Sequence, residues 1–253
     1  MALFEARHLG KRFGDRVVLE DITLSFEAGQ LSGIMGPNGA GKSTCFNVLT
    51  GHFPPDRGQV ILDGEDITGL SPRQIARRGV ARSFQIISLF DELTALENVL
   101  LALPPVRAAG FRILRDAAGD PATVAQALEV IERVGLGASA DVRSGSLPYG
   151  ERRSLEIAVA LAAQPRILFL DEPTQGMGAD GRRHLLRLIQ QLKERFTIVM
   201  IEHDMEFLFS LADKVSVIHW GQVIAEGTPR ELRTDPWVRR SSLGADTSEA
   251  ADA

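Results

Sequence analysis

Cysteine is almost missing from this chain: of 253 residues only Cys45 carries a thiol. A single thiol excludes an internal disulfide and suits a reducing compartment. Long apolar runs are missing as well. No stretch approaches the roughly 20 residues that cross a bilayer, and Met1–Lys11 lacks a basic-then-apolar leader pattern. If the chain works at a membrane, something else must hold it there. Nor is there an excess of positive charge. A net charge of −5 and a pI near 5.6 argue against nucleic acid as a partner. Lysine is scarce, with four in all (Lys11, Lys42, Lys193, Lys214). What is present is ordinary for a globular protein, 44% hydrophobic and 24% charged. The length suffices for one large α/β domain, or for a core carrying a smaller inserted subdomain.

One of the four lysines falls in Gly36-Pro37-Asn38-Gly39-Ala40-Gly41-Lys42-Ser43-Thr44, which fits the P-loop pattern at Gly36, Gly41, Lys42 and Ser43. Small residues let the backbone curl until its N–H groups converge on phosphate oxygens. A helix starting near Gly41 adds its positive end. Lys42 supplies a point charge for the β- and γ-phosphates, and the Ser43 hydroxyl is placed to ligate Mg²⁺. A random chain of this length would show the pattern roughly once in a hundred. Context supports it further: Leu31–Met35 reads as a buried strand running into the loop, and Cys45–Leu49 as a helix leaving it.

Residues 3–9 and 17–26 alternate as antiparallel strands with one wet face do. Lys11–Arg16 reads as the turn between them. Phe13 in that turn has two readings: a lone Phe most often packs in a core, but its face could also meet an adenine ring. Gln59–Leu62 followed by Asp63-Gly64 predicts a strand entering a hairpin. Ser71-Pro72-Arg73-Gln74 starts a helix, and Val80–Gln85 is a short strand ending on a polar residue. From about Ile86 to Ala163 helical periodicity dominates. Thr94-Ala95-Leu96-Glu97 is a capping box, and Asp120-Pro121 opens a helix whose apolar face is Val124, Leu128, Ile131 and Val134. Pro104, Pro105 and Gly110 mark a loop between these two. Arg166–Leu170, Thr197–Ile201 and Val215–Ile218 are apolar without alternation, as buried parallel strands are. Amphipathic helices separate them (Leu185, Leu188, Ile189, Leu192; then Met205–Leu211). Gln222–Ala225 is a further strand, Thr228–Glu231 caps a last helix, and the polar tail Ser241–Ala253 is expected to be disordered.

Strand and helix in alternation predict a parallel sheet with ligands at the strand C-termini. There the chain places Asp171-Glu172 after one apolar strand and His203 after the next. Asp171 beside a P-loop is the Walker-B arrangement, holding Mg²⁺ through its shell. Glu172 is suited to polarise an attacking water, and His203 comes within reach of a γ-phosphate.

Taken together, these motifs resemble the ATPase subunits of ABC transporters over roughly residues 3 to 244. The resemblance implies an α/β P-loop NTPase cassette with a RecA-like parallel-sheet core, an N-terminal antiparallel β subdomain and an inserted α-helical subdomain. The ATPase domain would span 1–240, with core segments 1–85 and 164–240 and the helical subdomain at about 86–163. It further implies that Phe13 stacks on adenine, against the core reading, and that Gln85 senses Mg²⁺ and water and begins the segment facing the membrane subunit. Glu172 would be the general base and His203 the γ-phosphate switch. Tyr149, Gly150 and Glu151, in the signature Leu147-Pro148-Tyr149-Gly150-Glu151, would meet ATP bound to a partner subunit in a head-to-tail dimer. With Asp171–Met177 and Ile201–Met205, the signature segment 147–158 looks like the LivG type, one of two ATPases in branched-chain amino acid importers. That implies permease subunits and, indirectly, a periplasmic or extracellular binding protein, with the chain peripheral on the cytoplasmic face of the inner membrane. Urea and short-chain amide importers, lipid exporters and soluble non-transport ATPases use similar parts. Two departures stand out: Pro148 and Tyr149 replace the usual Ser and Gly of the signature, and Gly178 replaces the usual aspartate. The expectation is therefore a weaker signature and a different ATPase as natural partner.

Overall fold

Two long strands open the chain, β1 (Ala2–Phe13) and β2 (Arg16–Glu27), paired antiparallel. The computed structural model describes residues 2–83, 88–104, 106, 120–235 and 238. The expectations for Gln85, for the loop at Pro105 and Gly110 and for the tail 241–253 lie outside the described residues. β1 extends through what reads in sequence as a turn, leaving only Gly14 and Asp15 to reverse the chain. Its end is held extended by Asp56, which accepts from Arg12 N at 2.6 Å and from Lys11 Nζ at 3.0 Å, while Lys11 also donates to Pro54 O.

The described residues fall into two units. The first comprises Met1–Arg77 and Arg195–Ala253. Beyond β1 and β2 it contains β3 (Leu31–Met35), α1 (Lys42–Leu49), β4 (Arg57–Leu62), β5 (Glu65–Asp66) and α2 (Pro72–Arg77). After the other unit it resumes with β8 (Thr197–Ile201), α7 (Met205–Leu211), β9 (Lys214–His219), β10 (Gln222–Gly227) and α8 (Pro229–Leu232). Its strands run in the order β5-β4-β1-β2-β10-β9-β3-β8. The β5-to-β2 end is antiparallel, and β4 turns into β5 at Asp63 and Gly64, both at positive φ (51° and 80°). That is the twist-matched two-residue hairpin the Asp-Gly pair announces. At the other end β3 lies parallel to both β8 and β9, with every residue of β3 and β8 buried. Strands covered on both faces need no alternation, which is why these segments are mostly apolar, with Ser32 and Thr197 the buried polar exceptions.

The second unit, Arg78–Glu194, holds two parallel strands, β6 (Val80–Arg82) and β7 (Ile167–Asp171), in register Val80↔Ile167 to Arg82↔Phe169. Its described helices are α3 (Ala95–Ala102), α4 (Pro121–Arg133), α5 (Tyr149–Ala162) and α6 (Ala179–Lys193). α3, α4 and α5 pack pairwise, and α5 also packs on β6 and α6. The expected caps form: Thr94 and Glu97 exchange side-chain and backbone bonds, and Asp120 accepts from Thr123 N. Leu185, Leu188, Ile189 and Leu192 are the buried stripe of α6.

Candidate nucleotide site

In the first unit the P-loop follows β3 directly. Gly36 has φ 151° and a Cβ there would lie 2.0 Å from Ile218 O, so no side chain fits. Gly41 (φ 103°) caps α1; no side chain caps this end and its first turn holds no acid. An N-terminus left this way is suited to an anion. Lys42 is 5% exposed, and its ammonium donates to Gly36 O at 2.8 Å and Pro37 O at 3.0 Å. The loop thus curls around its own lysine, and an entering phosphate offers that charge a stronger acceptor than the two carbonyls. Asn38 and Gly39 are exposed at the crown, Ala40 is buried and bonded through its carbonyl to Gly221 N, Ser43 is exposed and Thr44 half-buried.

Phe13 is not a core residue. It is 44% exposed at the tip of the β1–β2 hairpin, with its ring edge-on to Phe53 at 5.3 Å. The same hairpin approaches the P-loop: Val18 O lies 2.9 Å from where a Cβ on Gly41 would sit. The core reading fails because Phe13 sits at the hairpin tip, where among the described residues its ring contacts are Phe53 and the Lys11 ammonium, and it stays 44% exposed. His203 follows β8. Ile34 pairs with Ile201, and Glu202 N donates to Ile34 O at 3.3 Å, so the register sets His203 level with Gly36. Its imidazole is 56% exposed, with Nδ1 3.9 Å from Oε2 of Glu202, which is fully buried. One unit therefore brings the P-loop, the Phe13 hairpin and His203 together.

The second unit carries the acids and the signature. Asp171 ends β7 at 3% exposure, and its Oδ2 meets Arg82 Nη2 at 2.6 Å. Glu172 is half-buried at φ 43°, a left-handed conformation that costs a non-glycine residue about 1–2 kcal/mol. Arg153 is 2% exposed; it donates to Asp171 O at 2.8 Å and pairs with Glu156 at 2.5 Å. Pro148 is the N-cap of α5, without a side-chain capping bond. Tyr149 donates its hydroxyl to Gln175 O at 2.9 Å, Gly150 is half-buried, and Glu151 accepts from Ser139 Oγ at 3.0 Å. Arg82, Arg153, Glu156 and Glu202 are the residues that sequence reading missed. Glu202 had a usable signal, the same one that singles out Asp171: an acid directly after an apolar strand.

A glycine-walled loop closed on a buried lysine, between a parallel strand and a helix, with an acid ending another parallel strand, defines a P-loop nucleoside triphosphatase. More narrowly, the chain belongs to the ABC transporter family, whose model matches residues 19–175. It is 39% identical to the high-affinity branched-chain amino acid transport ATP-binding protein BraF of Pseudomonas aeruginosa, over 96% of this chain and 98% of that one. It is 36% identical to LivG of Escherichia coli K12, a protein of the same description, with the same coverage. The lipopolysaccharide export ATP-binding protein LptB of E. coli K12 is 34% identical over 97% of this chain and 99% of its own. Among solved structures, the ADP conformation of MJ1267, an ATP-binding cassette of an ABC transporter, superposes with a TM-score of 0.85 at 29% identity. That match covers 96% of this chain and 99% of that one. The fold is the ABC cassette, the chain binds ATP, and its activity is that of the family, ATP hydrolysis. No helix among the described residues is long and apolar enough to cross a membrane.

Proposed function

We propose that this chain is the ATP-hydrolysing subunit of an importer for branched-chain or other hydrophobic amino acids, acting at the cytoplasmic face of the inner membrane. The likeness to BraF and LivG across 96% of the chain is the observation that carries the cargo class. Its partners are permease subunits, a second and different ATPase in a head-to-tail dimer, and indirectly a substrate-binding protein. The core is assigned to 1–85 and 164–240 and the helical subdomain to about 86–163. The loop 88–94 supports a permease contact: Phe90 is 56% exposed while its backbone is fastened by Asn98 and Ser144.

In this reading Lys42 exchanges Gly36 O and Pro37 O for phosphate oxygens, and the amides of 36–44 cradle the triphosphate. Phe13 offers its exposed face to adenine. Ser43, Gln85 and Asp171 are the residue types that hold Mg²⁺, whose charge offsets that of the phosphates. Arg82 fixes the position of the Asp171 carboxylate by direct contact at 2.6 Å. Glu172 takes the proton of the attacking water. His203, set level with Gly36 by the pairing of β8 with β3, hydrogen-bonds the γ-phosphate. Glu172→Gln in the full chain is expected to bind ATP normally and to lose at least about a hundredfold in turnover; rapid hydrolysis by that variant would remove Glu172 as base. Cargo is tested by co-purifying the permeases from membranes and reconstituting the complex in vesicles. ATP-driven uptake of leucine, isoleucine or valine is expected. Uptake of urea or an amide instead, or movement of lipid outward as the LptB likeness would allow, would overturn the cargo assignment.

A further inference from the structure

We propose that Tyr149 and Arg153 are positioning residues that hold Glu172 of their own chain in its hydrolytic conformation. The inference rests on the reading of Glu172 as base. The two residues are four apart, so they share one face of α5. From that face Arg153 donates to Asp171 O at 2.8 Å and Tyr149 to Gln175 O at 2.9 Å. The two acceptors bracket Glu172, the one residue between Asp171 and Gln175 at positive φ. Such a backbone persists in a residue with a side chain only where its neighbours are held. One end of the clamp is rigid: Arg153 is itself fixed by Glu156, at 2% and 5% exposure. At the other end the tyrosine ring lies against Gly176, where a Cβ would come 3.2 Å from the hydroxyl. The residue that replaces a signature glycine thus acts on the hydrolytic loop that follows β7, within one subunit.

Tyr149→Phe removes only the hydroxyl of a ring that is 46% exposed, so the full chain is expected to fold as before. The expected result is a kcat lowered roughly tenfold with nucleotide affinity within about twofold. Amide hydrogen exchange should quicken in 173–177 and stay unchanged in 197–203. In a Glu172→Gln background the second substitution should lower the residual rate no further, because its effect passes through the carboxylate. Unchanged exchange in 173–177, or a loss of affinity equal to the loss of kcat, would overturn the clamp. Full hydrolysis by Glu172→Gln alone would instead strike the base assignment, leaving the clamp to be judged by exchange.

Discussion

Cys45 lies one turn inside the P-loop helix, and burial pushes its thiol from 9.0 up to about 12. The neutral form is the one the fold accepts. Its contribution to stability is therefore complete below the unfolded value near 9.0 and is lost as pH rises toward about 12. The thiolate is the nucleophile, so an alkylating reagent at pH 8 should label Cys45 only when α1 opens. ATP binds the closed form and should slow labelling further. In Lys42→Ala that protection should disappear, because the variant keeps the helix but loses the charge proposed to meet the phosphates. Fast labelling of the native chain would mean that the helix is open far more often than its packing implies.

At the scale of elements, the start of α3 shows how two neighbouring polar residues differ in weight. Thr94 makes one capping box, with bonds of 3.1 and 2.8 Å to Glu97. Asn98, 3% exposed, donates to Phe90 O, Leu93 O and Thr94 O and accepts from Phe90 N. Thr94→Ala is expected to cost about 1 kcal/mol, whereas Asn98→Ala leaves several backbone groups without their partner and is expected to cost about 2–3 kcal/mol. Urea unfolding monitored for both variants checks the order; equal midpoints would mean that water takes the place of the Asn98 amide. The contrast also marks what could be read from sequence. Caps, the Asp63-Gly64 hairpin and the apolar strands β3, β7 and β8 are set by residues within a few positions of one another, so local pattern predicts them. The ends of long side chains are set by distant partners. Arg82 reaches Asp171 across 89 positions of sequence, and Lys11 and Arg12 reach Asp56, so neither the Asp171 ion pair nor the length of β1 follows from local pattern. Phe13 shows a third case, since its burial depends on whether anything covers the hairpin tip.

At the scale of the molecule, α5 bears on assembly. In the head-to-tail dimer proposed above, the start of this helix would face the triphosphate held by the other subunit. Pro148 brings neither an N–H nor a hydroxyl to that position, and no side chain completes the cap. This chain would thus offer its partner a poorer phosphate contact than a serine does, while its own P-loop is complete. On the proposed assembly, that asymmetry would favour pairing with a different ATPase over pairing with itself. The full chain alone is expected to hydrolyse ATP slowly at any concentration, and to gain at least about tenfold when a partner ATPase with a serine signature is added. Pro148→Ser should raise the rate of the chain alone. The same gain is not expected from Tyr149→Gly, because the hydroxyl that ties Tyr149 to Gln175 would go with the ring. If the unaltered chain by itself matches the rate of the assembled complex, Pro148 is no handicap and the case for two unlike ATPases falls.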